Sequence, residues 1–265
     1  MPSLPLYQVD AFTNRSFAGN PAAVCPLEAP IPEALMQDIA AENNLSETAF
    51  FHPQGDGFSL RWFTPTVEVD LCGHATLASA YVLMMELEPT RTEATFRTRS
   101  GPLIVRRGDA DALVMDFPAL PIVPADAQTR ARAEAALGSK TLELLRDPTR
   151  LLAVLETPED VRRAAPDLAA VARMGASLCV TAAGNGDPID FVSRYFAPAS
   201  GVPEDPVTGS SHCMLAPYWG ARLGKKTLRA RQISRRGGEM SCTLAGDRVL
   251  LGGKCRLVIK GSLSY

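Results

Sequence analysis

The sequence predicts an α+β protein of two pseudo-symmetric halves, each a barrel-like sheet wrapped around a central buried helix. Three observations lead there. Residues Ala75 to Met85 (ATLASAYVLMM) are apolar on every side of a helix, so that helix has to be enclosed all round. Strand-like runs with few helices among them surround it, which points to a sheet curled about a helical filling. A motif of the first half also returns in the second: Arg61-Trp62-Phe63-Thr64-Pro65 is answered by Arg194-Tyr195-Phe196-Ala197-Pro198, an offset of 133 residues. Each copy is followed by a glycine opening an apolar helix, Gly73-His74-Ala75-Thr76 in one and Gly209-Ser210-Ser211-His212 in the other, and this ordered recurrence implies an internal duplication.

Taken in order, Leu6 to Val9 and Ala22 to Val24 read as short strands separated by the turn-forming stretch Asn14 to Pro21. Pro32 to Ala41 has helical spacing, with Pro near its start and Asn43-Asn44 beyond its end. Thr48 to Phe51, Phe58 to Phe63, Thr95 to Thr98, Leu103 to Arg106 and Leu113 to Asp116 read as strands. Pro118, Pro121 and Pro124 then punctuate the chain, and the domain boundary is placed near Pro118. This gives halves of 1–117 and 118–265, with the last strand able to pack back on the first half. Two helices are expected at about 128–138 and 158–173 before a second strand-rich block, and Pro217 is expected to kink or shorten the helix that follows Gly209.

The bulk properties exclude several classes of function. With 46% apolar and 21% charged residues in a chain of 265, the composition is that of an ordinary globular protein with ample core. Lys plus Arg number 27 against 29 for Asp plus Glu, so the net charge of −2 supplies no global field for nucleic acid or anionic lipid. The basic run from Lys225 to Arg236 is interleaved with Leu228 and Ile233 and reads as solvated strand edges. The amino terminus lacks the pattern of a signal peptide and no apolar run reaches membrane-spanning length, so a cytoplasmic protein is expected. Six cysteines form no CxxC pair, and no glycine pattern for nucleotide binding follows a strand. No cofactor and no metal are expected.

The two glycine-opened helices carry the candidate chemistry. A helix start with small residues offers free N–H groups and a positive dipole end, which suits a carboxylate, and two such ends could grip one substrate in a shared cleft. The alternative is that Thr76, Ser210 and Ser211 only cap their helices. Glu47, in NLSETAFF, lies between a polar turn and an apolar strand, where partial burial would raise its pKa toward that of a proton carrier; otherwise it is a surface charge. His74 sits in a helix's first turn, where the dipole disfavours the imidazolium, and it reads equally well as a capping or core residue. Asp205, before Pro206, could be a turn residue.

These residues lie in motifs that resemble a known family. VDAFT, FAGNPAAV, NLSETAFF, RWFTPTVEVDLCGHATLASAYVL and EDPVTGSSHC, running from Val9 to Cys213, are similar to those of the PhzF-like (phenazine-biosynthesis-like) isomerases. The resemblance implies the fold of diaminopimelate epimerase, an active site between its halves and a homodimer. It implies that Glu47 is the general acid/base that takes a proton from one carbon and returns it to another, with the help of His74 and Asp205. Gly73, Gly209 and the N–H groups beside them would hold the substrate's carboxylate, with Ser210 and Ser211 at the same helix start and Asn20, in GNP, as a further site residue. Moving a proton beside a carboxylate needs a base, donors for the developing anion and exclusion of water.

Three rivals stand beside this reading. A two-thiol racemase or epimerase would use Cys72, but the position before Gly209 is Thr208, and Cys213 lies about one helical turn further on. A metal site from Cys72, His74, His212 and Cys213 would have poorly spaced ligands, since adjacent His212 and Cys213 point apart. A binding protein without turnover would keep the cleft and have no need of Glu47. The expected partner is a small carboxylate substrate whose identity the motifs leave open.

Overall fold

The computed structural model describes residues 1–186 and 188–265. The chain divides into two compact units, Met1–Phe117 with Leu250–Tyr265, and Pro118–Val249. Residues 250–265, counted with the second half in the sequence reading, therefore belong to the first. Among the described residues no helix is long and apolar enough to cross a membrane.

The first unit runs β1 (Ser3–Ala11), β2 (Asn20–Pro26), α1 (Glu33–Asn43), β3 (Glu47–Gln54), β4 (Gly57–Phe63), β5 (Glu68–Val69), α2 (Gly73–Tyr81), β6 (Glu93–Thr98), β7 (Gly101–Arg107) and β8 (Leu113–Pro118). The parallel pair β2 and β3 needs a crossover, which α1 supplies. That helix ends where the polar pair predicts, with Asn44 in the left-handed region at φ 49° and its N–H donating to the Ala40 carbonyl. β3 and β4 are antiparallel, β4 and β6 parallel, and β6, β7 and β8 antiparallel in turn.

Helix α2 fills this sheet. Every residue from His74 to Ala80 is buried, and the helix continues through a π-helical turn, Val82–Leu87, so the regular α-helix ends sooner than the apolar run implies. Its two hydroxyls do not spoil an apolar environment because each is satisfied within the helix. Thr76 Oγ1 donates to the Cys72 carbonyl at 2.6 Å and Ser79 Oγ to that of Ala75 at 2.7 Å.

The second unit runs β9 (Val123–Pro124), α3 (Ala127–Leu137), β10 (Glu143–Arg146), β11 (Arg150–Val154), α4 (Pro158–Arg163), α5 (Leu168–Arg173), β12 (Ser177–Gly186), β13 (Ile189–Ala197), β14 (Val202–Asp205), α6 (Gly209–Leu223), β15 (Thr227–Gln232) and β16 (Gly238–Ala245). β17 (Arg248–Gly253) leads out of it, and β18 (Cys255–Ser264) pairs antiparallel with β1. The single helix expected at 158–173 is two. Pro166 cannot continue a helix, and each piece has its own cap, a Thr157/Asp160 capping box and the Asp167 carboxylate on the Ala170 N–H. Pro217 does not shorten α6, which keeps 15 residues. A proline at 217 has no N–H for the carbonyl of Cys213, four residues earlier, and that carbonyl instead accepts from the Leu120 N–H at 2.9 Å.

The duplication is visible strand by strand. β11 and β12 are parallel with helices in the crossover, as β2 and β3 are; β12 and β13 repeat β3 and β4; β13 and β15 repeat the parallel pair β4 and β6; β15 and β16 repeat β6 and β7. The matched arginines behave alike. Arg61 makes a two-pronged ion pair with Glu68 at 2.7 and 2.6 Å and lies 5.1 Å from the Phe63 ring; Arg194 does so with Glu204 at 2.7 and 3.0 Å and lies 4.9 Å from Phe196. In the basic stretch 225–236, Lys225 pairs with Asp190 and Arg231 with Glu239, as solvated strand edges would.

Because α2 is enclosed on every side, truncation inside it leaves a cavity. Leu77→Ala, at a fully buried position, is expected to cost about 2–5 kcal/mol in denaturant unfolding. A loss below 1 kcal/mol would contradict the tight enclosure.

Candidate active site

Glu47 is the first residue of β3 and pairs with Ala22 of β2. Cys72 is the residue before α2, and His74 follows within the first turn of that helix. Asn20 opens β2. The parallel pairing of β2 with β3, together with the packing of α2 on both, brings these four side chains to one place. His74 Nε2 lies 3.1 Å from Glu47 Oε2, and His74 Nδ1 lies 3.1 Å from Asn20 Nδ2 and 3.5 Å from Cys72 Sγ. His74 and Cys72 are 5% exposed and Asn20 is fully buried, whereas the Glu47 side chain keeps 17% of its surface open. The carboxylate is thus the accessible member of the group.

The electrostatics reverse two expectations. Burial pushes the Glu47 carboxyl up, as the sequence reading supposed, but the imidazole beside it outweighs burial and holds the pKa below the ordinary carboxylate value. Burial likewise pushes the His74 ring down, yet the negative charge around it holds its pKa well above the ordinary value instead of leaving it low at the helix start. The reason is the same for both. Close partners in a poorly hydrated place outweigh the helix dipole and desolvation, His74 for Glu47 and Cys72 together with Glu47 for His74. Cys72 is pushed up to about 11 by burial and by the Glu47 charge, so at neutral pH it is a thiol.

The other expected site residues belong to the second unit. The Asp205 carboxylate accepts from the Thr208 hydroxyl, and the segment 205–208 is held by Gln232, whose Oε1 accepts from the Thr208 N–H at 2.9 Å and whose Nε2 donates to the Asp205 carbonyl at 2.7 Å. Gln232 was missed in the sequence. Its signal was the alternation of β15, where Leu228, Ala230 and Gln232 face inward and the third of these is polar. Gly209 is buried at the start of α6 and Ser210 is partly exposed. Ser211 is fully buried and its hydroxyl donates back to the Thr208 carbonyl at 2.8 Å, a bond within the first turn of the helix. The His212 ring lies 2.8 Å from the same carbonyl through Nδ1, is stacked 5.8 Å from Phe191, and burial brings its pKa down to about 4.

Glu47, Cys72 and His74 each offer one potential metal-ligand atom, all within 4.8 Å of one another. Their arrangement favours direct pairing. Glu47 Oε2 already stands at hydrogen-bond distance from Nε2, where a metal would have to be inserted, and Sγ lies nearer Nδ1 than Nε2, at 3.5 against 4.0 Å. In the four-residue set considered from the sequence, His212 already directs Nδ1 to a backbone carbonyl.

Comparison with known proteins agrees with this fold. Residues 9–261 match the model of the family described as phenazine biosynthesis-like protein (PhzC-PhzF). A Pseudomonas aeruginosa protein named as an uncharacterized isomerase is 49% identical over 98% of each chain. The crystal structure of a PhzF-family protein from Enterococcus faecalis is 45% identical, with a TM-score of 0.95 over the whole of both chains. A predicted epimerase from Pseudomonas aeruginosa, 25% identical, superposes with a TM-score of 0.75 over 98% of this chain and 99% of its own. With the fold and these relatives in agreement, the chain belongs to the phenazine biosynthesis-like (PhzF) family, an assignment that supports an isomerase or epimerase type of function.

Proposed function

We propose that the protein is a cofactor-independent isomerase that moves a proton between carbons of one small carboxylate substrate, with Glu47 as the general acid/base. The observation that carries this reading is the pairing of a partly open carboxylate with a buried imidazole at 3.1 Å. Held below its ordinary pKa, Glu47 is ionised at neutral pH and ready to accept a proton from a carbon beside the substrate's carboxylate. The C–H bond breaks toward Glu47, the electron pair passes into the substrate, and the neutral carboxylic acid then returns the same proton to a different carbon. His74, fixed beside Glu47, steadies the carboxylate before transfer and can share the proton after it. The N–H groups beside Gly73 are assigned to the substrate's carboxylate, as are those beside Gly209. Asp205 and Ser210 are assigned supporting hydrogen bonds on the family resemblance, and a homodimer is assigned on the same ground. The thiol route is disfavoured because Cys72 is buried and its pKa is near 11.

Incubating the protein with a panel of small cyclic and amino-acid-derived carboxylates in heavy water, and reading deuterium by mass spectrometry, tests the reaction. Exchange at carbon should occur with the native chain and fall by at least about a hundredfold in Glu47→Gln while the ligand still binds. Cys72→Ser should retain it. Exchange that survives the first substitution and disappears in the second would overturn the assignment in favour of thiol chemistry.

The paired groups also set the pH limits. Glu47 must be ionised to act, so kcat/KM should hold as pH falls to 4.5 and drop only below that value. His74 keeps its proton well above 6.5, so the alkaline decline should lie above pH 6.5. In His74→Gln the main influence opposing burial is gone, and the acid limb should move upward. An unshifted acid limb would mean that the two groups are not coupled.

A further inference from the structure

The position of Asn20, the first residue of β2, is closely determined by its backbone pairing with Ala11 and by the loop before it. The loop before it turns back through Gly19 at φ +67°, where a Cβ would stand 2.1 Å from the Ala11 carbonyl oxygen and 2.8 Å from Thr13 Cγ2. Phe17 also has a left-handed backbone, φ 68°, and its N–H donates to the buried carboxylate of Asp10 at 2.7 Å. The Thr13 N–H is tied to the Lys254 carbonyl at 2.9 Å, which anchors the other side of the loop. The result is one fully buried side-chain amide, held against a single nitrogen of His74.

That nitrogen matters because an imidazole has two, and only one can face Glu47. Turning the ring over would put Cδ2 where Nδ1 stands and Cε1 where Nε2 stands, and so break the 3.1 Å contact with the carboxylate. We infer that Asn20 is the positioning residue of His74: its amide engages Nδ1 and thereby keeps Nε2 and its proton directed at Glu47. An amide suits the task because it can both donate and accept. It presents an N–H to the bare Nδ1 of a neutral ring, and turned over it presents a carbonyl oxygen to the Nδ1–H of an imidazolium. The ring can therefore change charge without changing direction, which a proton-sharing partner of Glu47 requires. This role differs from the substrate contact expected of Asn20 from the sequence. It rests on the reading of Glu47 and His74 as the proton-handling pair only for its purpose, since the tautomer itself can be observed without turnover.

The chain has three histidines, so long-range proton–nitrogen NMR correlations of the 15N-labelled protein resolve each ring. His74 is assigned by loss of its signals in His74→Gln. On the alkaline side of its titration, native His74 should show one tautomer, protonated at Nε2. Asn20→Leu, close in size but unable to hydrogen-bond, should lose that single tautomer. Asn20→Asp, which can only accept, should hold the ring doubly protonated to higher pH than in the native chain. His212, with Nδ1 on the Thr208 carbonyl, serves as internal control, because general damage to the fold would disturb it as well. An unchanged His74 tautomer in Asn20→Leu, or an unshifted titration in Asn20→Asp with His212 intact, would overturn the inference. If Asn20→Leu does not fold, Asn20→Asp decides.

Discussion

The constraint on which the first unit depends is the enclosure of α2. A helix with no polar face cannot lie on a surface, so strands have to surround it, and Thr76 and Ser79 meet this demand by bonding their hydroxyls back into the helix. The enclosure also fixes the chemistry. A helix that cannot rotate or slide holds Cys72 and His74, at its start, in one place, and the strands packed on it carry Asn20 and Glu47. Core and site are one construction here.

The second unit repeats the plan with different side chains. The paired Arg61 and Arg194, each forked onto a glutamate and lying over a phenylalanine, mark equivalent strands. At the helix starts the copies diverge. The first has Cys72 and His74 beside the Glu47 carboxylate, whereas the second has a network of the Asp205 carboxylate, the Thr208 hydroxyl and the Gln232 amide. A duplicated scaffold has thus kept its strand pairing while its two helix starts carry different side chains. This is what selection on a shared fold with specialised sites would leave.

Within the first site, pairwise charge dominates over location. Burial by itself would make Glu47 a weaker acid and His74 a weaker base, and each effect is overcome by close partners, His74 for Glu47 and Cys72 with Glu47 for His74. For Cys72 burial and the Glu47 charge outweigh the opposing influence of His74, and its pKa rises to about 11. The site therefore holds one open ionised carboxylate, one ring fixed beside it and one inert thiol.

The sequence by itself determined the architecture and the family. Hydrophobic periodicity, proline and glycine positions and the repeated RWFTP and RYFAP motifs are local or simply periodic, and they carry the strands, the buried helix and the duplication. Glu47, His74 and Asn20 were legible as candidate site residues because the motifs around them are. Where short-range chemistry competed, local reading fell short, as with the 158–173 stretch, which Pro166 and the Asp167 cap divide, and α6, whose Pro217 is tolerated because the distant Leu120 N–H takes the Cys213 carbonyl. Only the tertiary structure decided which groups face one another. The His74 contacts join residues 27 and 54 positions apart in the chain, and the pKa directions of Glu47 and His74 and the inward turn of Gln232 follow from such pairings. Charge interactions depend on separation in space, which the order of residues along the chain does not record.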